Sequence, residues 1–485
     1  MKRLLLVGIF AGGCLLGVQP GSARVATARP SLSAALGPAV ASAPARAMSA
    51  AIRLAPRSGP PGARVKVTGS GFRPGETVDV LFDRTRLTQA VVDALGTFTA
   101  GFAVPLSAQP GWHYVSAVAQ SALAQSKFLV NVNWTQFRDG PNHRAWNSWE
   151  NTLGPGNVAG LTTKWSTQTW AEVYSSPAVV DGVVYVGSGV DGGFNGGQIY
   201  ALSASTGATL WTKAIGSVMS SPAVVNGRVY VGSLNGSVYA LDASTGATIW
   251  TKTTGGKIYS SPAVANGVVY IGSLDGKVYA LSAGTGATVW TMTTGGGVGA
   301  SPAVVNGRVY VGSVDQKLYA LDASTGTTLW AKATGGIVYS SAAVANGVVY
   351  VGSWDGKVYA LDAGTGASLW TKTTGYAVVS SPAVTNGVVY VGSKYDHQVY
   401  ALNASTGATL WMKTIGGDVV SSPTVAGGVV YIGAQDNKLY ALDAGTGATL
   451  WMQTTGDQVS SSATVANGVV DVGSYDGNVY AFALP

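Results

Sequence analysis

From Ser220 onward the apolar positions fall into short runs separated by glycine-bearing turns. One unit reads SSPAVVNGRVYVGSLNGSVYALDASTGATIW, from Ser220 to Trp250. Its runs at Ala223–Val225, Arg228–Gly232, Val238–Leu241 and Thr248–Lys252 are too short for helices. They are rich in β-branched and aromatic residues, and they predict four strands. Asn226-Gly227 and Asn235-Gly236 join the first three, because both central residues of a type I′ turn need positive φ. Ala243 to Gly246 turn the chain into the fourth. The unit recurs to the C-terminus, and its closing Trp marks the register: Trp211, Trp250, Trp290, Trp330, Trp370, Trp411 and Trp451, separated by 39 to 41 residues. A lone four-stranded meander cannot bury both faces. Copies stacked about an axis can, and ring closure removes the long exposed edges. Four strands in a period of roughly 40 residues make one blade of a β-propeller.

The Tyr-x-Gly position of the second strand counts the blades. It occurs at Tyr185, Tyr230, Tyr270, Tyr310, Tyr350, Tyr390 and Tyr431, and once more with Asp471 in place of Tyr. The eighth copy stops at Phe482-Ala483-Leu484-Pro485, after its third strand. A spare closing segment, Gly160-Leu161-Thr162-Thr163-Lys164-Trp165, precedes the first copy. The expectation is an all-β, eight-bladed propeller over residues 134–485. Residues 134–160 are its lead-in, and residues 161–167 supply the missing fourth strand of blade eight.

Upstream the composition changes. Residues 1–23 have the form of a signal peptide: Lys2-Arg3, an apolar run from Leu4 to Val18, then Gly21-Ser22-Ala23. Cys14 invites a lipoprotein reading, but the apolar run continues past it, and a Cys in such a run also serves as a small hydrophobe. Residues 24–50, rich in Ala, Pro and Ser, predict a disordered linker. Residues 51–133 carry alternating runs at Arg64–Thr68, Thr77–Phe82, Gln89–Asp93, Thr97–Val104, Trp112–Ala119 and Ser126–Val132. These predict a small Ig-like β-sandwich. The Gly69-Ser70-Gly71-Phe72-Arg73-Pro74-Gly75-Glu76 and Pro110-Gly111-Trp112-His113-Tyr114 runs resemble bacterial Ig-like surface modules.

The segment Ala240 to Trp250, ALDASTGATIW, resembles the tryptophan-docking motif of the PQQ-binding-like propellers. That family includes quinoprotein alcohol dehydrogenases and the lipoprotein scaffold of outer-membrane protein assembly. Trp134-Thr135-Gln136-Phe137-Arg138 through Asn157-Val158-Ala159-Gly160-Leu161 also resembles its approach to the ring. The resemblance implies a structural docking role for Trp165 and the seven repeat tryptophans. Each indole fills the wedge between sheets, beside a small residue and a turn glycine. The matching positions include Ala280, Gly286 and Trp290, and Ala360, Gly366 and Trp370.

Chain direction sorts the loops onto two faces. First-to-second and third-to-fourth turns share one face and barely vary. Fourth-to-first and second-to-third connections share the other, and there the copies diverge: Tyr174, Lys257, Tyr259, Tyr339, Trp354, Tyr376, Lys394, Tyr395, His397, Asp418, Gln435, Asp457, Gln458 and Tyr475. Ligands bind where loops converge, so this variable face is the candidate site, with Tyr174, Tyr259, Tyr339, Trp354, Tyr376, Tyr395 and His397 as candidate contacts. Drift at unconstrained loop positions is the competing account. Ser220, Ser260, Ser340, Ser380 and Ser421 are expected to ring the axis, but none of His113, His143 and His397 repeats with them as a base. Asp275, Asp315, Asp355, Asp436 and Asp476 each begin a tight turn, which accounts for them without a metal. The glycine-rich insertion from Gly189 to Gly197 lacks the carboxylate spacing of a calcium loop.

Hydrophobic content of 47% with only 11% charged residues excludes a disordered chain. One cysteine excludes an intramolecular disulfide. The net charge of +7 is scattered, with no basic-aromatic run for nucleic acid. No apolar run after the first suits a transmembrane span. The expectation is an exported monomer, extracellular, at the cell surface or periplasmic. It acts as a non-catalytic binding or scaffold module for a protein or polysaccharide partner, without a cofactor. The resemblance implies two alternatives: a dehydrogenase of alcohols or sugars using PQQ with calcium, and an envelope protein-assembly scaffold. The enzymes of the family would need a carboxylate-and-amide calcium site, a catalytic Asp and adjacent cysteines, none of which the repeats supply.

Overall fold

A computed structural model describes residues 49–190 and 196–485. The expected signal peptide, Cys14, nearly all of the linker and the centre of the glycine-rich insertion lie outside them.

Residues from Ala51 to Val130 form two sheets about one core. Ala51–Ala55, Arg64–Ser70 and Thr97–Ala103 make a three-stranded sheet. Ser58–Gly59, Thr77–Phe82, Thr85–Val91, Gly111–Val118 and Leu123–Val130 make a five-stranded one. Alternation along Arg64–Ser70 and Thr77–Phe82 turns Val65, Val67, Val78, Val80 and Phe82 inward, where they meet Phe98, Phe102 and Phe128. The strand expected at Gln89–Asp93 lies instead at Thr85–Val91. Asp93 has left it because its carboxylate accepts the backbone N–H groups of Leu95 and Thr97, which makes a turn.

The repeats fold as consecutive antiparallel four-stranded sheets. Blade two pairs Ala223–Val225, Arg228–Gly232, Ser237–Asp242 and Thr248–Thr253 in that order. The last sheet pairs Thr464–Ala466, Val469–Gly473 and Asn478–Ala483 with Thr162–Gln168 from the far end of the chain. Trp165 lies opposite Ala481 in that pairing. Eight such sheets are present among the described residues.

Adjacent blades are joined by one repeated arrangement. The Trp250 indole Nε1 donates to the Ala283 carbonyl of the next blade at 3.1 Å, and the Tyr230 hydroxyl donates to the same oxygen at 3.0 Å. The indole lies over Gly286, where a Cβ would fall 2.7 Å from the ring and where φ is +73°. Glycine is therefore required twice over, by space and by backbone conformation. Trp211, Trp290, Trp330, Trp370 and Trp411 repeat this geometry against Ala243, Ala323, Ala363, Ala404 and Ala444. At the closure, Trp451 donates to Leu161 and Trp165 donates to Ala204. The Tyr431 hydroxyl is buried there without a partner, and so is one carboxylate oxygen of Asp471.

The axis is lined differently from the expectation. Ser220, Ser260, Ser340, Ser380 and Ser421 point into their own blades, where their hydroxyls accept the backbone N–H of Gly232, Gly272, Gly352, Gly392 and Gly433. The next residue in each copy makes the ring. The N–H of Ser176 donates to the Ser221 hydroxyl, and the pattern runs through Ser261, Ser301, Ser341, Ser381, Ser422 and Ser462 back to Ser176. A strand start places alternate side chains on opposite sides, so one step along the chain exchanges the two roles.

The lead-in does more than approach the ring. Residues 134–147 pass the innermost strands of the blades in order. The N–H groups of Val179, Val224, Val304, Val344, Val384 and Val425 donate to the carbonyls of Trp134, Thr135, Pro141, Asn142, Arg144 and Ala145. The N–H of Val264 donates to the Gln136 side chain, and the Asn147 amide donates to the Val465 carbonyl. Innermost strands are sheet edges facing the axis, and this segment satisfies their open N–H groups. Arg138 is buried here and donates to the carbonyls of His143, Ser381 and Pro382. Burial brings its pKa down to about 9 and holds His143 neutral, with a pKa down to about 3.

The sandwich meets the turn face. Just past its last strand, the N–H of Val132 donates to Asn467, while Asn131 and Asn133 donate to Asp181. Asn467 and Asp181 lie in first-to-second turns, so the variable face points the other way.

Candidate functional site

The two loop types of the variable face are stitched together by backbone bonds. The N–H of Trp354 donates to Ile337, Lys394 to Ala377 and Gln435 to Asp418. Each bond ties a second-to-third loop to the loop that enters the same blade. The tight turns beneath are held by aspartates. Asp275 accepts the N–H of Gly255 and the Tyr279 hydroxyl, and Asp315 and Asp355 do the same in the next two blades. These carboxylates are committed to turn chemistry, which raises the pKa of Tyr279, Tyr319 and Tyr359 to about 12 through burial and the facing carboxylate.

Blades five to seven bring most of the expected residues together. The Tyr339 and Trp354 rings meet edge-on with centroids 6.3 Å apart, and Tyr376 and Tyr395 meet at the same distance, 83° from parallel. The Lys394 ammonium joins the two pairs, 4.7 Å from the Tyr395 ring and 5.9 Å from that of Trp354. Such a cation over π faces is held in place while staying in contact with water. His397 lies 3.2 Å from Asp418, whose carboxylate also accepts the Tyr395 N–H. Trp354 and Tyr339 are each 40% exposed, Tyr395 51% and Tyr376 57%. The arc is thus open to solvent although its loops are tied down.

Blade six has one residue more than its neighbours in this loop, Lys394-Tyr395-Asp396-His397. Tyr395 and His397 both take positive φ, at 72° and 57°. Blades three and five place Gly276 and Gly356 in the corresponding turns. A bulky residue in the left-handed region costs on the order of 1–3 kcal/mol, and such residues cluster at functional sites.

Two expected residues lie elsewhere. Tyr174 packs on Tyr475 with ring centroids 4.1 Å apart, near Glu172, and burial raises its pKa. Tyr259 is half-buried in the loop entering blade three. Both belong to the variable face but not to the arc. Lys394 and Asp418 turn out to be as central as the aromatics. Their loop divergence marked them, but their pairing appears only in three dimensions. Trp170, 71% exposed in the loop entering blade one, escaped the sequence reading because it lies outside the repeat register.

The axis does not suit a quinone with a calcium ion. The Ser176–Ser462 hydroxyls are taken up by one another's backbone N–H groups, and Arg138 brings a buried positive charge to the same channel. Among the described residues, no three His, Cys, Asp or Glu side chains come together as metal ligands.

Against known proteins, residues 195–293, 274–383 and 354–484 match the family described as outer membrane protein assembly factor BamB. No curated protein matches the chain. Among solved structures, BamB from Moraxella catarrhalis is similar at 22% identity and a TM-score of 0.57, covering 67% of this chain and 97% of that one. A europium-containing methanol dehydrogenase is similar at 16% identity and a TM-score of 0.64, covering 73% and 98%. Quinohemoprotein alcohol dehydrogenase from Comamonas testosteroni is similar at 18% identity and a TM-score of 0.63, covering 73% and 80%. At these identities the likeness is one of fold.

Proposed function

The chain belongs to the repeat family described as outer membrane protein assembly factor BamB, and we propose that within it this protein is a non-catalytic, exported binding or scaffold module. Its variable face engages a protein or polysaccharide partner. The observation that carries this reading is the arc of Tyr339, Trp354, Lys394, Tyr395 and Tyr376, solvent-exposed on a rigid ring. Rigid aromatic side chains supply contact area at low entropic cost, which is why they dominate binding hot spots. The sandwich leaves this face clear, since its own contacts are with the turn face. The axial chemistry supports the non-catalytic part: its hydroxyls are spent, and it offers no carboxylate cluster. The described residues include no helix long and apolar enough to cross a membrane.

Replacing Trp354, Tyr376 and Tyr395 together with Ser tests the reading. The fold should survive, because exposed loop changes usually alter stability by little. Recovery of partner material on the immobilised protein should fall. Unchanged recovery would return the arc to loop drift. Calcium-dependent dye reduction of an alcohol or sugar by protein reconstituted with PQQ would replace this reading with the dehydrogenase one.

A further inference from the structure

The proposed variable-face binding can be taken one step further, and the inference rests on that reading. The geometry points to an acidic polysaccharide as the occupant of the arc, its sugar rings against Trp354, Tyr376 and Tyr395 and its carboxylates drawn to Lys394. Three observations converge. First, Lys394 has no carboxylate partner among the described residues, its ammonium being held only by two rings. The acidic groups nearest in the fold are spent: Asp418 on His397 and the Tyr395 N–H, Asp396 on the Tyr400 hydroxyl. The arc therefore presents an uncompensated positive charge at its centre, on a chain of net charge +7.

Second, the Tyr339, Tyr376 and Tyr395 hydroxyls make no hydrogen bond among the described residues, unlike those of Tyr279, Tyr319 and Tyr359, which donate to aspartates. Exposed phenol hydroxyls beside exposed ring faces match a sugar, which offers hydroxyls at its rim and C–H groups on its faces. Third, the ring pairs stand edge-on, 60° and 83° from parallel, so they wall shallow clefts and form no flat apolar patch of the kind a protein interface buries.

Binding of the full chain to polygalacturonate, alginate and hyaluronate, followed by calorimetry, tests this. Fully methyl-esterified polygalacturonate keeps the rings without the charge, and poly-glutamate keeps the charge without the rings. At least one acidic polysaccharide should bind, with affinity falling as salt rises. Esterification and Lys394→Gln should each weaken binding about tenfold, as expected for one charge-assisted contact. Trp354→Ser with Tyr395→Ser should abolish binding while the melting temperature stays in place. Three results would overturn the inference: no binding to any acidic polysaccharide, equal binding to the neutral ester, or tighter binding to poly-glutamate. If the triple serine variant loses its partner while acidic polysaccharides fail to bind, the variable-face reading stands and this one falls.

Discussion

Replacing Asp471 by asparagine is expected to stabilise the folded chain above neutral pH, with an effect that shrinks in acid. Asp471 stands where seven other blades carry tyrosine, in a strand between Thr464 and Ala481. It is 1% exposed, and one of its oxygens has no hydrogen-bond partner. Burial raises its pKa from 3.8 to about 7, with only Lys164 acting in the opposite direction. Between those two values the folded state holds a proton that the unfolded chain has released, so stability falls as pH rises. The limiting slope is about 1.4 kcal/mol per pH unit. Over roughly three units the loss approaches 4 kcal/mol, reached above pH 7. Asparagine keeps the shape and does not ionise, so the difference between variant and wild type should grow by that order from pH 4.5 to pH 8.5. Asp139, also raised to about 7, and His143 titrate in both proteins and cancel in the difference. Urea midpoints across the pH series, read by tryptophan fluorescence, measure it. A gap that stays constant with pH would show that Asp471 is not held protonated by burial, and the account of the closing seam would be wrong.

Trp290→Ala should cost about 3–5 kcal/mol, because it removes a buried indole together with its bond to Ala323. Unfolding energetics equal to wild type would remove the wedge role. Arg138→Gln should cost about 2–3 kcal/mol by leaving the Ser381 and Pro382 carbonyls short of donors, and denaturant titration would show this. Removing residues up to and including Trp165 should leave Asn478–Ala483 as an open edge and cause aggregation visible by light scattering. A monomeric, stable product would refute closure by the N-terminal strand.

Much of the architecture was readable because it is local. Asn226-Gly227 requires positive φ wherever it occurs, and the observed values of 51° and 71° meet that need. The strands between such turns had to be short, and Tyr and Trp positions kept the count. The seam was half readable. Large indole and small glycine could be matched by type, but the acceptor could not, since Ala283 offers a carbonyl that no side chain reveals. The Ser positions show the same limit. Two adjacent serines look interchangeable in the repeat, and only strand orientation assigns one to the blade and the other to the axis.

The binding arc lies further from sequence. Aromatic residues could be picked out by their divergence from the repeat, yet nothing local says that Lys394 sits between Trp354 and Tyr395, or that Tyr174 sits apart from them. Those relations depend on how neighbouring blades are rotated about the axis. The lead-in is the clearest case. It has no periodicity, because its partners are not its own neighbours but a circle of valine N–H groups spread from Val179 to Val425. By itself the sequence determined the strands, the turns and the repeat, since these follow from preferences within a few residues. The path of the lead-in, the ring of serines and the grouping of the arc were decided only by tertiary structure, because each satisfies hydrogen bonds or charges across blades that first meet when the ring closes.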